Sequence, residues 1–368
     1  MLLLAAGAIA CDRPEPARAG AKSPEAEPAP ASVAAATQPE PAPAPAPPEV
    51  PGGGPDPLTL DPSHSTSIGS PNEGALEGGV PLPLSGPGYR FSPRKKPERR
   101  HGTVELVAAL VRAAVAVHEQ LPGSTLTFGD IGMPEGGEIV GHGSHRAGRD
   151  ADVMFYLLHE DGTPAEGKAV PLDPEGKGTD YKDLAIADDD VPLSIDLPRT
   201  WAFVAVLLAD ETLQVQQIFI VEHLRTLLLA EAKRVKAPAE IVQRFADVTC
   251  QPRFPHDDHM HIRVFCTAQD IAGGCNDVAP IYPWQRALLK AQGAAPVAPG
   301  KRKTKRPKLT SVDEAREKAG PSTSGQASTS SWPSERRSSA AACTAVMQAG
   351  STVPPSRGWV EKAMRRRP

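Results

Sequence analysis

The sequence predicts an α+β domain with a small central antiparallel β-sheet, flanked by helices and joined by long loops. Segments with helical spacing and segments with strand spacing alternate without the repeated βαβ units of a parallel sheet. The 41 prolines and 32 glycines of the 368 residues exceed ordinary usage, and many of the prolines crowd the N-terminal part of the chain. These observations predict one folded domain, over residues 61–293.

The two flanking segments have too few apolar residues to form a core. Residues 12–60 are rich in proline and alanine and predict a disordered tether. Residues 294–368 form a low-complexity basic tail that contains the run "KRKTKRPK". A formal net charge of −4 gives no overall attraction to nucleic acid, and the basic run is typical of a solvated tail. The alternative is local contact of this run with an anionic polymer or a membrane.

Within the domain, apolar spacing predicts three helices and four strands. The helices are expected over 103–121, 199–211 and 222–235, and the strands over 124–131, 150–158, 214–221 and 259–266. Two stretches are rich in Gly, Pro or Asp and predict irregular structure, namely 66–90 and 160–198.

The N-terminus has the pattern of an export signal. "MLLLAAGAIAC" is too short an apolar run to cross a bilayer and ends in small residues before Cys11. It resembles a bacterial lipoprotein signal, although no Lys or Arg precedes the apolar run. We therefore expect an exported, periplasmic protein, with Cys11 as a candidate lipidation site that would attach it to a membrane.

Export permits disulfide bonds. Besides Cys11, the chain has four cysteines, which allow three pairings: Cys250, Cys266, Cys275 and Cys343. Cys266 and Cys275 bracket a short loop, so this pairing is favoured over the alternatives, which include free buried thiols.

Two histidine-rich stretches predict a metal site. "GHGSHRAGRDADVMF" contains His142, His145, Asp150 and Asp152, and "FPHDDHMHIRVFC" contains His256, His259 and His261. Two histidines and one aspartate would leave the fourth position of a tetrahedral zinc to water. Positions 259 and 261 face the same side of a strand, so one ring can bind metal while its neighbour reaches that water. Imidazole with carboxylate suits zinc. A structural zinc is the alternative, but it usually takes four ligands, commonly cysteines, and neither stretch supplies one.

The same residues carry a resemblance to a known family. The spacing from His145 to Asp152, followed by a later His-x-His, is similar to zinc peptidases of the lysostaphin and D-Ala-D-Ala metallopeptidase clan. Together "GSPNEGALEGGVPLPLSGPGY", "FGDIGMPEGGEIVGHGSHRAGRDADV" and "HDDHMHIRVFC" resemble the penicillin-insensitive murein endopeptidase family, over residues 66–280.

The resemblance implies a periplasmic zinc enzyme that hydrolyses peptide cross-links of murein (peptidoglycan), at the D-alanyl to meso-diaminopimelyl bond. It assigns the catalytic zinc to His145, Asp152 and His261. His259 would act as the general base or stabilise the tetrahedral intermediate. His142 would bind a second metal or lie in the outer shell of the first. The stretch "HEDGTPAEGKAV" departs from the family's pattern of further metal ligands, which weighs against a second zinc. The candidates for orienting the imidazoles are Asp150, His256 and Asp257. No base is evident for Ser144, so serine-type catalysis is not expected.

Two alternative functions remain open at this stage. One is a D,D- or L,D-carboxypeptidase or dipeptidase of the same clan, which would need a cation near the free carboxylate of its substrate. The candidates for this cation are Arg146, Arg149 and Arg263. The other is a non-catalytic lipoprotein that binds murein through a vestigial zinc site.

Overall fold

The structure, a computed structural model, describes residues 52–182 and 185–298. Cys11, residues 12–51 of the predicted tether, Cys343 and residues 299–368 lie outside the described residues. In the described part of the chain, no helix combines the length and the apolar character needed to cross a bilayer.

Helices and short strands follow one another in mixed order. The helices are α1 (Val104–Gln120), α2 (Leu197–Ala209), α3 (Glu222–Arg234), α4 (Ala239–Val248), α5 (Ala268–Ala272) and α6 (Pro283–Ala291). The first strands are β1 (Thr66–Ser70), β2 (Glu73–Glu77), β3 (Val80–Pro81), β4 (Ser85–Gly86), β5 (Tyr89–Phe91), β6 (His101–Gly102), β7 (Leu126–Phe128) and β8 (Asp150–Met154). The later strands are β9 (Leu157–His159), β10 (Pro164–Ala165), β11 (Lys177–Asp180), β12 (Val191–Ile195), β13 (Val215–Phe219), β14 (Thr249–Cys250) and β15 (His259–Val264).

The central sheet has seven strands in the order β14-β13-β15-β8-β7-β5-β4. Its middle strands are antiparallel, whereas β13 pairs with β14, and β5 with β7, in parallel. The α+β class is therefore confirmed, but the prediction of a small, purely antiparallel sheet is wrong. The parallel partners β5 and β14 have only three and two residues, too few to show a strand period in the sequence.

Both stretches predicted as irregular contain paired strands, so that prediction is also wrong. Residues 66–90 contain the β1–β2 hairpin together with β3, β4 and β5. Residues 160–198 contribute three strands to a four-stranded sheet in the order β10-β9-β12-β11. Backbone hydrogen bonds hold these strands together, and their many glycine, serine and proline residues conceal the alternation of side chains that would reveal a strand.

The helices cover the central sheet and complete the hydrophobic core. Helix α1 buries most of its length, since its alanines and valines allow close contact all round. Helix α2 packs against α1, α3 and α4, and it contributes Trp201 and Phe203 to the core. Strands β8 and β13 are buried along their whole length, and they also bury polar side chains, namely Asp150 and Asp152 in β8 and Gln216 and Gln217 in β13.

A disulfide and a buried ion pair fix the end of β15. Cys266 and Cys275 form the favoured disulfide, with their Cα atoms 6.0 Å apart. Arg149 is fully buried and donates to Asp277 Oδ1, to the Val264 carbonyl and to Ser67 Oγ, each at 2.9 Å. These bonds tie the loop before β8 to β1 and to the residues after β15. They hold the two central strands of the sheet in one arrangement.

Glu105, in the first turn of α1, makes the stability of the fold depend on pH. Its side chain is 7% exposed, and its Oε1 has no hydrogen-bond partner among the described residues. Burial, together with the nearby charge of Asp270, raises the pKa of Glu105 from 4.5 to about 7. Between pH 4.5 and about 7, the folded state therefore keeps a proton on Glu105 that the unfolded state releases. The stabilisation is complete below pH 4.5 and is lost as the pH rises through about 7.

Replacing Glu105 by glutamine is expected to remove this loss of stability. At pH 8 the variant should exceed the wild type in free energy of unfolding by on the order of 2 kcal/mol, while the two should be similar at pH 5. Urea unfolding at both pH values measures this difference. Glu119→Gln, at an exposed position of the same helix, is the control and should change neither value. An equal effect of Glu105→Gln at both pH values would exclude the ionisation of Glu105 as the cause.

Candidate metal centre

The pairing of β8 with β15 brings the two histidine-rich stretches together. The antiparallel register places His261 opposite Asp152 and Arg263 opposite Asp150. All four side chains are buried. Because cross-strand neighbours point to the same face of a sheet, one face of these two strands carries an imidazole, two carboxylates and a guanidinium.

His145 reaches the same place from the loop before β8. Its φ of 65° lies in the left-handed region, which is uncommon for residues other than glycine. The backbone N–H of His145 donates to Asp150 Oδ2 at 2.9 Å, and this bond holds the unusual turn. The imidazole is completely buried. Strain of this kind persists where the surrounding structure requires it, as at functional sites.

Three atoms form a nearly equilateral triangle at the centre of the site. His145 Nε2, His261 Nδ1 and Asp152 Oδ1 lie 3.2 Å from one another. Although Asp152 Oδ1 is buried and close to both rings, no hydrogen bond of normal geometry reaches it from the described residues. A buried carboxylate oxygen without a hydrogen bond is costly unless a ligand satisfies it.

Hydrogen bonds on the far side of each ring fix which nitrogens carry lone pairs. His145 Nδ1 lies 2.9 Å from the Ile131 carbonyl, which can only accept, so this nitrogen carries the hydrogen. His261 Nε2 donates to Asp150 Oδ1 at 3.0 Å. In the neutral rings, the two remaining nitrogens therefore turn lone pairs towards each other and towards a carboxylate. Only a shared proton or a cation can stabilise that arrangement.

The triangle fits a tetrahedral zinc ion. Zinc–nitrogen distances of about 2.0–2.1 Å place neighbouring tetrahedral ligands about 3.3–3.4 Å apart, close to the 3.2 Å edges here. His142 adds a third imidazole at the edge of the site. His142, His145 and Asp152 each offer a ligand atom within 4.8 Å of the others. The residues present can therefore hold a divalent cation with three ligands, and His142 borders it.

A buried carboxylate that the sequence motifs did not identify orients His142. Asp130 follows β7, and its Oδ2 lies 2.9 Å from His142 Nε2 and 2.8 Å from Lys95 Nζ. Arg99 Nη1 lies 3.6 Å from the same oxygen. Asp130 stands alone after an apolar strand. Only its position, directly after a strand beside β8, could have indicated its role.

His259 lies beside the triangle with its second nitrogen free. Its Nδ1 lies 2.6 Å from Asp258 Oδ1, whereas its Nε2 faces Asp152 Oδ1 at 3.6 Å. The carboxylate that orients His259 is thus that of Asp258. The sequence motif had suggested its neighbour Asp257 for this role. The contact made by Asp257 is through its backbone carbonyl, which accepts from the N–H of Leu172.

His256 packs against the catalytic candidates without touching the triangle. Its ring centre is 5.0 Å from that of His259 and 5.8 Å from that of His261. Burial and the neighbouring histidines lower the pKa of His256 to about 4, so the ring is neutral at physiological pH. The Nδ1 of His256 donates to the Phe254 carbonyl. The contribution of His256 to its neighbours His259 and His261 is therefore the packing of its ring.

Local charges determine the ionisation of the site. Burial alone would raise the pKa of Asp152, but the neighbouring imidazoles, His145 first, outweigh it and hold that pKa well below its usual range. Burial opposes the charged form of His259, yet the nearby carboxylates of Asp152 and Asp258 raise its pKa to about 10. A cation held by Asp152 would oppose this rise and favour the neutral ring.

Two of the three arginines considered for substrate recognition are committed to structural contacts. Arg149 is bonded to Asp277 inside the core, and Arg263 Nε donates to Asp150 Oδ1 at 2.7 Å. Arg146 Nη2 lies 3.3 Å from Glu138 Oε1. These pairings leave neither Arg149 nor Arg263 free for a substrate carboxylate.

Comparisons with known proteins show which family this chain is similar to. A family model described as penicillin-insensitive murein endopeptidase matches residues 67–286. A protein of that name from Klebsiella pneumoniae is 31% identical over 221 residues, which is 59% of this chain and 72% of the relative. One from Pectobacterium atrosepticum is 30% identical over 56% of this chain and 66% of its own length. One from Escherichia coli is 29% identical over 60% of this chain and 73% of its own length.

Proposed function

The chain belongs to the penicillin-insensitive murein endopeptidase family, and from this premise we propose that it is a zinc-dependent hydrolase of murein peptide cross-links. The proposed bond is that between D-alanine and meso-diaminopimelate. The observation that carries the proposal is the triangle of two imidazole nitrogens and one carboxylate oxygen, 3.2 Å apart. The catalytic domain is proposed to extend over residues 61–293.

His145, Asp152 and His261 are the proposed zinc ligands. When bound, zinc supplies a Lewis acid that lowers the pKa of water and polarises a carbonyl oxygen. The second hydrogen bonds of the ligands, to the Ile131 carbonyl and to Asp150, hold the rings in the tautomers needed for binding. His142 lies farther out, with its Nδ1 3.9 Å from Asp152 Oδ2, and we propose that it borders a single metal.

His259 is the proposed general base. Its Nδ1 is held by Asp258 at 2.6 Å, which leaves Nε2 to take a proton from the attacking water. This nitrogen faces the ligand triangle, and about a fifth of the side chain remains exposed, so a substrate can reach it. After the peptide bond breaks, the same nitrogen can return the proton to the leaving amine. No serine nucleophile takes part, so β-lactams have no acyl-enzyme to trap.

The family also supports a location and a partner. We propose that the protein is exported and acts in the periplasm on murein, with Cys11 as a site of membrane attachment. A carboxypeptidase of the same clan and a non-catalytic murein-binding lipoprotein are the alternatives that the first experiment must exclude.

A cleavage assay tests this function directly. Purified zinc-loaded protein, incubated with cross-linked muropeptide dimers, is expected to release intact monomers that mass spectrometry identifies. A chelator should abolish the reaction, zinc should restore it, and His259→Ala should lower the rate by at least about a hundredfold with the metal still bound. His64→Ala, at an exposed histidine, is the control and should retain full activity.

The products separate the alternatives. Release of a terminal D-alanine with the cross-link intact would assign a carboxypeptidase. Bound zinc without any product would leave a murein-binding protein.

A further inference from the structure

The solvent-facing edge of the site is cationic. His145, Asp152 and His261 form the buried side of the site, with at most 7% of their side chains exposed. The edge that a substrate can reach includes His142 and His259, and beyond His142 lie Lys95 and Arg99, with 32% and 22% of their side chains exposed. We define Lys95 and Arg99 as the cationic rim.

The cationic rim keeps a net positive charge despite its contact with a carboxylate. Lys95 and Arg99 share one oxygen of the buried Asp130, so two positive charges face one negative charge. The same oxygen accepts from His142 at 2.9 Å. Asp130 thus fixes the positions of both cations, and one imidazole ring separates this carboxylate from Asp152 in the ligand triangle. The cationic rim is therefore joined to the ligand triangle through Asp130 and His142.

The proposed substrate carries a charge that suits this rim. In a D-alanyl to meso-diaminopimelyl cross-link, the carbon that bears the scissile nitrogen also bears a free carboxylate. This group must lie next to the reacting bond when the substrate is bound. Arg149 and Arg263 are committed to buried aspartates and cannot reach it.

We propose that Lys95 and Arg99 bind the free carboxylate beside the scissile amide and so select cross-links to an ionised diaminopimelate. This inference rests on the proposed function and names the substrate group that the site recognises. Both side chains can donate hydrogen bonds to a carboxylate, and their pairing with Asp130 holds them in place before the substrate binds. Amidation of that carboxyl group would remove its negative charge and one of its two hydrogen-bond-accepting oxygens. The amidated cross-link would therefore be a poor substrate.

The test compares two muropeptide dimers that differ only in this group, one with the free carboxylate and one with the carboxamide. Wild-type enzyme is expected to show about tenfold higher kcat/KM on the free carboxylate, mainly through KM. The double variant K95Q/R99Q should cleave both dimers at about the rate at which the wild type cleaves the amide. The control R94Q/K96Q changes the same residue types at two exposed positions of the same segment and should keep the wild-type preference.

A purely structural role of the cationic rim predicts a different pattern. If Lys95 and Arg99 only support Asp130 and His142, the double variant will lose activity equally on both dimers, which overturns the proposal. Equal cleavage of both dimers by the wild type overturns it as well.

Calorimetric binding of both dimers to zinc-loaded His259→Ala protein, with and without the rim substitutions, decides the proposal without turnover. Absence of cleavage by the wild type would refute the endopeptidase function. A charge preference in binding that the rim substitutions remove would then still support the subsite, and its absence would refute that too.

Discussion

Asp152→Asn is expected to remove the bound metal and to lower kcat/KM for murein peptides by at least about a thousandfold. The side chain is buried, and its Oδ1 lies 3.2 Å from a nitrogen of each of the two proposed ligand histidines, His145 and His261. An amide of the same shape keeps the volume but lacks the negative charge that balances a divalent cation. The loss should therefore appear in metal content, measured by mass spectrometry of the elements, as well as in rate.

The same substitution distinguishes a metal ligand from a structural carboxylate. Because asparagine preserves the volume, the fold should persist, and circular dichroism of the variant should match that of the metal-free wild type. The control is Asp161→Asn, which alters an exposed aspartate in the turn after β9 and should retain metal and activity. A variant that binds one metal per chain as tightly as the wild type would remove Asp152 from the ligand set.

Asp150→Asn is expected to have the largest effect on stability and to weaken metal binding at the same time. The carboxylate of Asp150 is fully buried and accepts from Arg263 Nε at 2.7 Å, from His261 Nε2 at 3.0 Å and from the His145 backbone N–H at 2.9 Å. Its loss leaves the buried guanidinium of Arg263 without a full counter-charge, which costs about 3–5 kcal/mol of unfolding free energy. Urea unfolding of metal-free protein measures this loss directly.

The second effect of Asp150→Asn concerns His261. The carboxylate fixes the tautomer that turns the Nδ1 lone pair towards the metal, so zinc affinity should fall by about 10- to 100-fold. Competition with a chromophoric chelator measures that affinity. Asp257→Asn is the matched control, since its contact runs through the backbone carbonyl and should survive the substitution. Equal effects of the two substitutions would show that Asp150 does not act through His261.

Consecutive residues contained enough information for the main helices and the long strands. The spacing of apolar residues located α1, α2 and α3 within two residues at each end, and it located β8, β13 and β15 by their first residues to within one position. These elements lie in segments rich in apolar residues, so the local sequence is sufficient to locate them. Apart from β7, most strands of two or three residues were not predicted, and neither was the glycine-rich hairpin, because pairing with other strands, and not a local pattern, stabilises them.

The residues of the candidate site likewise fall into those that the sequence predicted and those that only the structure revealed. The two histidine-rich stretches and the resemblance they carry predicted His145, Asp152, His259 and His261 as site residues, and these four side chains lie together in the structure. Asp130 and Asp258 became evident only in the structure. Asp130 lies beside His142 because β7 pairs with β8, and Asp258, rather than Asp257, faces His259 because of the turn that enters β15.

The sequence by itself determined the positions of α1, α2 and α3 and the two histidine-rich stretches whose side chains have the chemistry to bind a metal, whereas α4, α5 and α6 were not predicted. The tertiary structure alone decided which of those side chains meet. The register of β8 with β15 sets Asp152 opposite His261 across more than a hundred residues of chain. Periodicity is a property of neighbouring residues, whereas a metal site depends on distances between atoms that only the packing of the whole sheet can fix.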